Sequence, residues 1–262
     1  MSSAIEVINL YKQYSLGVIS YKNIKKDLQS FYSKLRGLED PNSVINFDDD
    51  QLKKNQDYIL ALKNININFK EGGKIGVLGK NGSGKSTLLK IISRVTSPTA
   101  GNLKIYGSVR SLLEVGVGFH PELTGLENIY LSGSVSGEKK KDIDKCKDEI
   151  ISFSGLDKYI NTPVKRYSSG MIVKLGFSVA TILDSDIILV DEVLAIADYE
   201  FREKALKKMK EISNNKLKTI LFVSHNMDMI KTFCDECIVL DNGELIFQGN
   251  SDKAIEFYSK KK

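Results

Sequence analysis

Cysteine, histidine and long apolar runs are all scarce in this chain of 262 residues, and each shortage closes off a class of function. The cysteines are Cys146, Cys234 and Cys237. An odd number with no regular spacing excludes the disulfide framework of a small secreted domain and favours a reducing compartment. Cys234-Asp235-Glu236-Cys237 is a C-x-x-C pair with no second pair to complete a four-ligand zinc site, so it reads as two structural thiols. No stretch approaches the ~18 uncharged apolar residues that a membrane helix needs. The longest apolar runs, at 187–190 and 220–223, have the length of buried strands, and such a chain cannot cross a bilayer unaided. The opening residues 1–6 lack a basic region and an apolar region, so no signal peptide is expected. No internal repeat is evident. Positive charge is also modest: a net +5 suits polyphosphate or a site near anionic lipid but is too weak to imply nucleic acid. With 42% apolar residues, the length suits one large domain or a domain with lobes.

What is present begins with glycine in one place. Gly79-Lys80-Asn81-Gly82-Ser83-Gly84-Lys85-Ser86-Thr87 fits the phosphate-loop pattern G-x-x-x-x-G-K-[ST]. It stands between an apolar run, residues 75–78, and a helical pattern, residues 88–92, which is the context the pattern requires. Glycines at 79, 82 and 84 let the backbone turn tightly, so that consecutive N–H groups point at a polyphosphate. A helix starting near Lys85 adds its positive end at the same place. The candidate nucleotide ligands are therefore Gly79, Asn81, Gly82, Ser83, Gly84, Lys85, Ser86 and Thr87. Lys85 reaches the β/γ-phosphates, and the Ser86 hydroxyl suits Mg²⁺.

Along the chain, residues 5–10 and 59–69 read as strands, the second alternating apolar and polar positions as a sheet edge does. Residues 102–106 and 109–113 are short strands separated by Gly107. From 126 to 183 the pattern turns helical and charged, with the 3.6-residue period clearest over 138–151 and 171–183. Continuous apolar runs at 187–190 and 220–223 then return as parallel strands buried on both faces. Asp241-Asn242-Gly243 marks a hairpin. Strands alternating with helices around an all-helical block predict an α/β nucleotide-binding core with an inserted helical lobe. Residues 15–57 look inserted. Within them Ile24, Leu28, Phe31, Leu35 and Leu38 define an amphipathic helix, with Lys22, Lys25, Lys26, Lys34 and Arg36 on its polar side. Such a helix lies at a membrane surface, docks on a partner or packs on its own core.

Phosphoryl transfer needs an acid for the metal's water shell, usually at the end of a buried strand. Ile187-Ile188-Leu189-Val190-Asp191 supplies it, and Glu192 follows where a carboxylate polarises an attacking water. Phe222-Val223-Ser224-His225 ends another apolar run with one of only two histidines, placed to contact a γ-phosphate. These strand ends and the phosphate loop should share one edge of the sheet.

The phosphate loop, Tyr167-Ser168-Ser169-Gly170-Met171, Asp191-Glu192, Asp198 and His225 stand in the order and rough spacing of an ABC-type ATP-binding cassette, which the chain resembles over nearly its whole length. Residues 167–171 are similar to that family's L-S-G-G-Q signature, with Tyr167, Ser169 and Met171 as departures. Asp198 matches the family's D-loop aspartate. A small GTPase is disfavoured, because the sole Asn-Lys, Asn215-Lys216, is not followed by x-Asp. A closer likeness, carried by residues 112–130 and 163–171, is to the ATP-binding subunits of bacterial exporters of O-antigen, capsule and teichoic acid. Cassettes usually place a Gln in the loop joining core to lobe. This chain has none there, as in the exporter subunits; Glu114 is the nearest polar candidate and His120 another. Some O-antigen subunits carry an additional carbohydrate-binding domain, and this chain resembles the version without one.

The resemblance implies a RecA-like P-loop core (1–113 and 186–262), with an antiparallel β subdomain, the 15–57 insertion and an α-helical signature subdomain (114–185). It implies Mg²⁺-dependent ATP hydrolysis, with Lys85, Glu192 and His225 catalytic and Ser86 and Asp191 at the metal, Asp191 through water. It further implies a homodimer with two ATP molecules between the subunits, each capped by Ser168 and Gly170 of the opposite copy. His225 would link the γ-phosphate to the opposite Asp198. Tyr14 is the first candidate to stack on adenine and Tyr58 the second. Implied partners are an integral membrane permease, in two copies, docked in a groove near residues 114–124, and the lipid-linked polysaccharide it moves; no nucleic acid is implied. The implied location is peripheral, on the cytoplasmic face of the cytoplasmic membrane. A soluble non-transport ABC ATPase is the remoter reading, since long coiled-coil insertions or a second cassette are missing.

Overall fold

The computed structural model describes residues 2–15, 58–112, 118–191, 198–224 and 226–261. In chain order the elements are β1 (Ser3–Ser15), β2 (Tyr58–Lys70), β3 (Lys74–Leu78), α1 (Lys85–Ile92), β4 (Ala100–Ile105) and β5 (Val109–Ser111). Then come α2 (Gly125–Val135), α3 (Lys140–Ser154), a 3₁₀ turn (Val164–Arg166), α4 (Ser169–Ile182), β6 (Ile187–Val190) and α5 (Tyr199–Asn214). The chain finishes with β7 (Thr219–Val223), α6 (Met227–Phe233), β8 (Glu236–Asp241), β9 (Glu244–Asn250) and α7 (Ser251–Lys260).

Two sheets share the core. One is antiparallel, ordered β2-β1-β4, and places β2 at an edge as its alternation predicts. Leu62, Ile65, Ile67 and Phe69 are buried while the asparagines at 64, 66 and 68 face out. The skipped beat between Leu62 and Ile65 is a bulge: Asn64 takes φ 48°, and the pairing with β1 shifts register between Leu10 and Lys12. The other sheet runs β5-β6-β7-β3-β8-β9, parallel except for β9. Every residue of β3, β6 and β7 is buried, because helices or the second sheet cover both faces. Ile5, Phe69, Leu88, Ile91, Leu189 and Leu221 fill the space between the sheets and α1. Phe177, Phe201, Phe222 and Tyr258 pack on the opposite face. The helical lobe has its own core of Ile129, Ile143, Leu175 and Val179.

Residues 102–106 and 109–113 prove to serve different sheets: β4 joins the antiparallel one, β5 the parallel one. Gly107 makes the crossing at φ 115°, where a Cβ would lie 2.7 Å from the Asp186 carboxylate. That carboxylate accepts from the Ser108 amide (2.7 Å) and hydroxyl (2.8 Å), which holds its pKa below the ordinary value. The expected strand 109–113 stops at Ser111, and residue 113 lies outside the described residues. The expected helix 138–151 starts at Lys140, because Gly137 turns at φ 88° and the Glu138 side chain reaches back to Arg110. The 24–38 helix also falls outside the described residues. Cys234 and Cys237 are buried free thiols; burial raises both, Cys237 to about 11, so they are inert at neutral pH.

Candidate functional site

Strands β6, β7 and β3 are parallel neighbours, so their C-terminal ends open on one edge of the sheet. There the phosphate loop follows β3, Asp191 follows β6 and Val223 ends β7. Together with Ala61 of β2, these line a cavity of about 390 Å³ whose other walls are Asn81, Gly82, Gly84, Lys85, Ser86 and Thr87.

The loop's shape is forced by its surroundings. Gly84 caps α1 in the left-handed region (φ 102°), and a Cβ there would meet the Ala61 carbonyl oxygen at 2.6 Å. At Gly79, φ 155° combines with a would-be Cβ contact of 2.4 Å to the Leu240 carbonyl. Gly82 (φ 79°) has open space instead, toward the cavity. Because Gly84 has no side chain to cap the helix, the first amides of α1 remain directed at the cavity, a ready site for phosphate. The Lys85 ammonium is held in the loop, donating to the carbonyls of Gly79 (2.7 Å) and Lys80 (2.9 Å).

Not every loop residue faces the cavity. Ser83 is buried, its amide donates to the Lys80 carbonyl (3.1 Å), and its hydroxyl lies on the inner side against Gly79. Gly79 likewise shapes the turn and presents its carbonyl to Lys85. The hairpin at Asn242 (φ 49°) and Gly243 (φ 82°) turns out to buttress the loop. The Gly243 amide donates to the Ser83 carbonyl (3.2 Å), and the Gly243 carbonyl accepts from Lys63 of β2 (2.7 Å). A hairpin signal in the sequence gives no hint of that second task.

Tyr14 and Tyr58 both sit at the open end of the β1–β2 ribbon, Tyr14 opposite Ile59 and Tyr58 opposite Ser15, and both are exposed. Tyr14 carries a cation on its ring: Lys12 Nζ lies 5.0 Å from the centroid while donating to the Ser97 carbonyl (2.8 Å). Burial lowers the Lys12 pKa.

The signature segment lies on the lobe. Ser168 caps α4, its hydroxyl accepting from the Met171 amide (3.3 Å). Gly170 has ample room, with only the Ser168 hydroxyl at 3.9 Å from a would-be Cβ. Tyr167, a departure from the family signature, is buried and donates to the Tyr159 carbonyl (2.8 Å), wedged over Gly125. Asp198 caps α5 by accepting from the Phe201 amide (2.9 Å) and forms an ion pair with Lys174 of α4. Lys174 is first among the causes that lower the Asp198 pKa. Sequence reading missed Lys174; spacing carries no sign of a bridge between two helices.

A second cleft, about 270 Å³, separates core from lobe and is lined by Val95, Arg110, Phe119, Ser132 and Val135, among others. Beside it Asn128, fully buried, staples residues 120–124: its amide group donates to the carbonyls of His120, Leu123 and Thr124 and accepts from the His120 amide. His120 is thereby fixed on the lobe side, its ring nitrogen accepting from the Glu122 amide (3.3 Å). Glu114, Glu192 and His225 lie outside the described residues, so only their flanks, Leu112, Asp191 and Ser224, are placed.

The ABC transporter family profile matches residues 62–195. The O-antigen export system ATP-binding protein RfbB of Klebsiella pneumoniae is 38% identical, over 93% of this chain and 98% of that protein. The teichoic acids export ATP-binding protein TagH of Staphylococcus epidermidis is 36% identical, over 98% of this chain and 89% of that protein. Among solved structures, a dimeric ATP-binding cassette in a post-hydrolysis state with ADP and Pi superposes with a TM-score of 0.68. Its identity is 22%, covering 94% of this chain and 98% of that one, which speaks to the fold.

Proposed function

The chain belongs to the ABC transporter family of ATP-binding proteins, and we propose that it is the ATP-hydrolysing subunit of an exporter that drives a lipid-linked polysaccharide of the O-antigen type across the cytoplasmic membrane. The observation that carries the mechanism is the meeting of Lys85, Ser86 and Asp191 across one cavity at the strand-end edge. The near end-to-end likeness to O-antigen export subunits supports the transport reading. A teichoic acid is the second reading, favoured by the TagH likeness over 98% of the chain.

In this reading the amides of Asn81, Gly82 and Gly84 through Thr87 and the Lys85 ammonium hold the ATP phosphates, the Ser83 amide being taken by the Lys80 carbonyl, and Tyr14 stacks on adenine with Lys12 behind its ring. The residues present fit Mg²⁺: a hard cation takes oxygen donors, and the Ser86 hydroxyl and Asp191 carboxylate face the same cavity. Among the described residues no cluster of three or more His, Cys, Asp or Glu side chains exists, in keeping with an ion held mainly by phosphate and water. When bound, that ion neutralises charge developing on the phosphates. Glu192, next after Asp191, orients the attacking water and receives its proton, a role worth roughly 10²–10⁴ in rate. His225 contacts the γ-phosphate from the end of β7. Ser168 and Gly170 of a second copy cap the same γ-phosphate, so ATP bridges two subunits and ADP does not; hydrolysis removes the contact that favours closure. A separate permease subunit converts closure into export; among the described residues of this chain no helix is long and apolar enough to cross a membrane. Its docking site is the cleft lined by Arg110, Phe119 and Val135.

The test is to solubilise membranes, purify the chain with whatever it holds, and assay export of the lipid-linked glycan. Recovery of a multi-span membrane protein and ATP-dependent glycan movement is expected. Recovery of the chain alone, with undiminished ATPase, would return it to the soluble ATPases.

A further inference from the structure

The tip of the helical lobe carries charge that local folding does not favour. Lys139, Lys140 and Lys141 occupy the N-cap and first two positions of α3, and all three are exposed. A helix N-terminus is its positive end, where cations are unfavourable and acids stabilising. The acids nearby are already engaged. Asp142 bonds Lys145 at 2.7 Å, the first cause of its lowered pKa, to which Lys141 and Lys139 add less. Glu138 turns inward to the buried Arg110 at 3.4 Å, and Asp144 pairs with Lys147 at 3.8 Å. Among the described residues no ion pair joins Lys139, Lys140 or Lys141.

The turn that presents them is anchored. The Glu138 amide donates to the Gly133 carbonyl (2.9 Å) and the Gly137 amide to the Ser134 carbonyl (3.0 Å), while Glu138 is tied from below by Arg110. Immediately before it stands Val135, 80% exposed, the most exposed large apolar side chain described. Ser132, Val135 and Ser136 form one wall of the cleft assigned above to the membrane subunit. A subunit seated there brings this rim toward the bilayer. An exposed aliphatic side chain beside clustered lysines is the pairing that suits a lipid interface, the apolar group entering the headgroup zone and the ammoniums meeting anionic lipid.

We propose that the 135–141 tip rests on the anionic phospholipid surface of the membrane that holds the partner, and so sets the angle at which the lobe meets the cleft's occupant. This rests on the reading that a membrane subunit fills the cleft. Each lysine near such a surface contributes about five-fold to partitioning, and three together roughly 100-fold, the gain fading in high salt.

The experiment uses the purified full chain and sedimentation with phosphatidylcholine vesicles, with and without phosphatidylglycerol. Lys139→Gln, Lys140→Gln and Lys141→Gln are combined in one variant. Lys207→Gln, Lys210→Gln and Lys253→Gln, exposed on α5 and α7, remove the same charge in another. The tip variant is expected to lose roughly 100-fold in partitioning onto anionic vesicles, with melting and ATPase unchanged, while the control variant keeps most of its binding. Equal losses in both would reduce the effect to net charge and overturn the proposal. No loss in the tip variant would assign any binding to another segment, such as residues 24–38, and overturn it as well. If the tip variant binds vesicles normally yet fails to hold the membrane subunit, the lysines face an acidic protein segment, and the lipid assignment falls. The transport reading fails separately, when no membrane protein accompanies the unaltered chain.

Discussion

On the proposed reading the phosphate loop and the signature segment are two halves of one chemistry, and they are built by opposite means. Around the loop the fold leaves slack only at Gly82, on the cavity side: carbonyls of Ala61 and Leu240 close on Gly84 and Gly79, the Gly243 turn bonds its back, and the Lys85 ammonium is seated on two carbonyls. Around Ser168 and Gly170 there is open space, and the Ser168 hydroxyl is occupied only with capping its own helix. One half is finished within a protomer. The other presents a helix end whose ligand, in the proposed dimer, comes from the opposite copy. The loop is thus held by its own protomer, while the space at Gly170 would be filled, in the proposed dimer, by the nucleotide of the opposite copy.

Three changes test that contrast. Lys85→Ala should lower ATP hydrolysis by roughly 10²–10³, the loss expected when a positioned charge is removed from a reacting phosphate. Its melting temperature should fall by far less in proportion, through the two loop carbonyls that lose their donor, and a steady-state ATPase assay beside calorimetry separates the two. Gly84→Ala should cost about 2–6 kcal/mol of stability, from left-handed strain plus overpacking against Ala61, seen as a lowered denaturation midpoint in urea. Gly170→Ala is the sharper comparison. With nothing closer than 3.9 Å to the new methyl, it should melt like the parent and bind nucleotide normally as a single protomer, yet lose ATP-dependent dimerisation in size-exclusion chromatography. Nucleotide binding lost in parallel would erase the division between halves.

The smallest effect concerns the crossing between sheets. The Asp186 carboxyl is lowered by its bonds from Ser108, so its contribution is complete above the ordinary carboxylate pKa and disappears as pH falls through the depressed folded value. Asp186→Asn should thus melt below the parent at neutral pH and converge with it in acid. A gap that widens on acidification would reverse the assigned sign.

Much of this was legible because buried parallel strands must be apolar throughout and a phosphate loop must have its glycines. The runs at 187–190 and 220–223, the alternation of β2 and the loop itself all follow from local rules, though the bulge within β2 does not. What stayed hidden was assembled from distance: β4 and β5 parting into two sheets, Lys174 reaching Asp198 from another helix, Asn128 stapling the loop before it, and Gly243 backing a motif more than a hundred and fifty residues earlier. Ser83 shows the limit inside a motif, since a pattern fixes the residue but not which way its hydroxyl turns.

The Lys174–Asp198 bridge has a further reach on the proposed arrangement. Within one protomer it joins the helix that begins at the signature to the residue that opens α5, and both ends would serve the ATP held by the opposite copy. A homodimer then contains the strut twice, running in opposite senses. Release of phosphate at one site would then be felt at the signature and at Asp198 together, as a change in tension along one helix pair. The pair would keep time with itself.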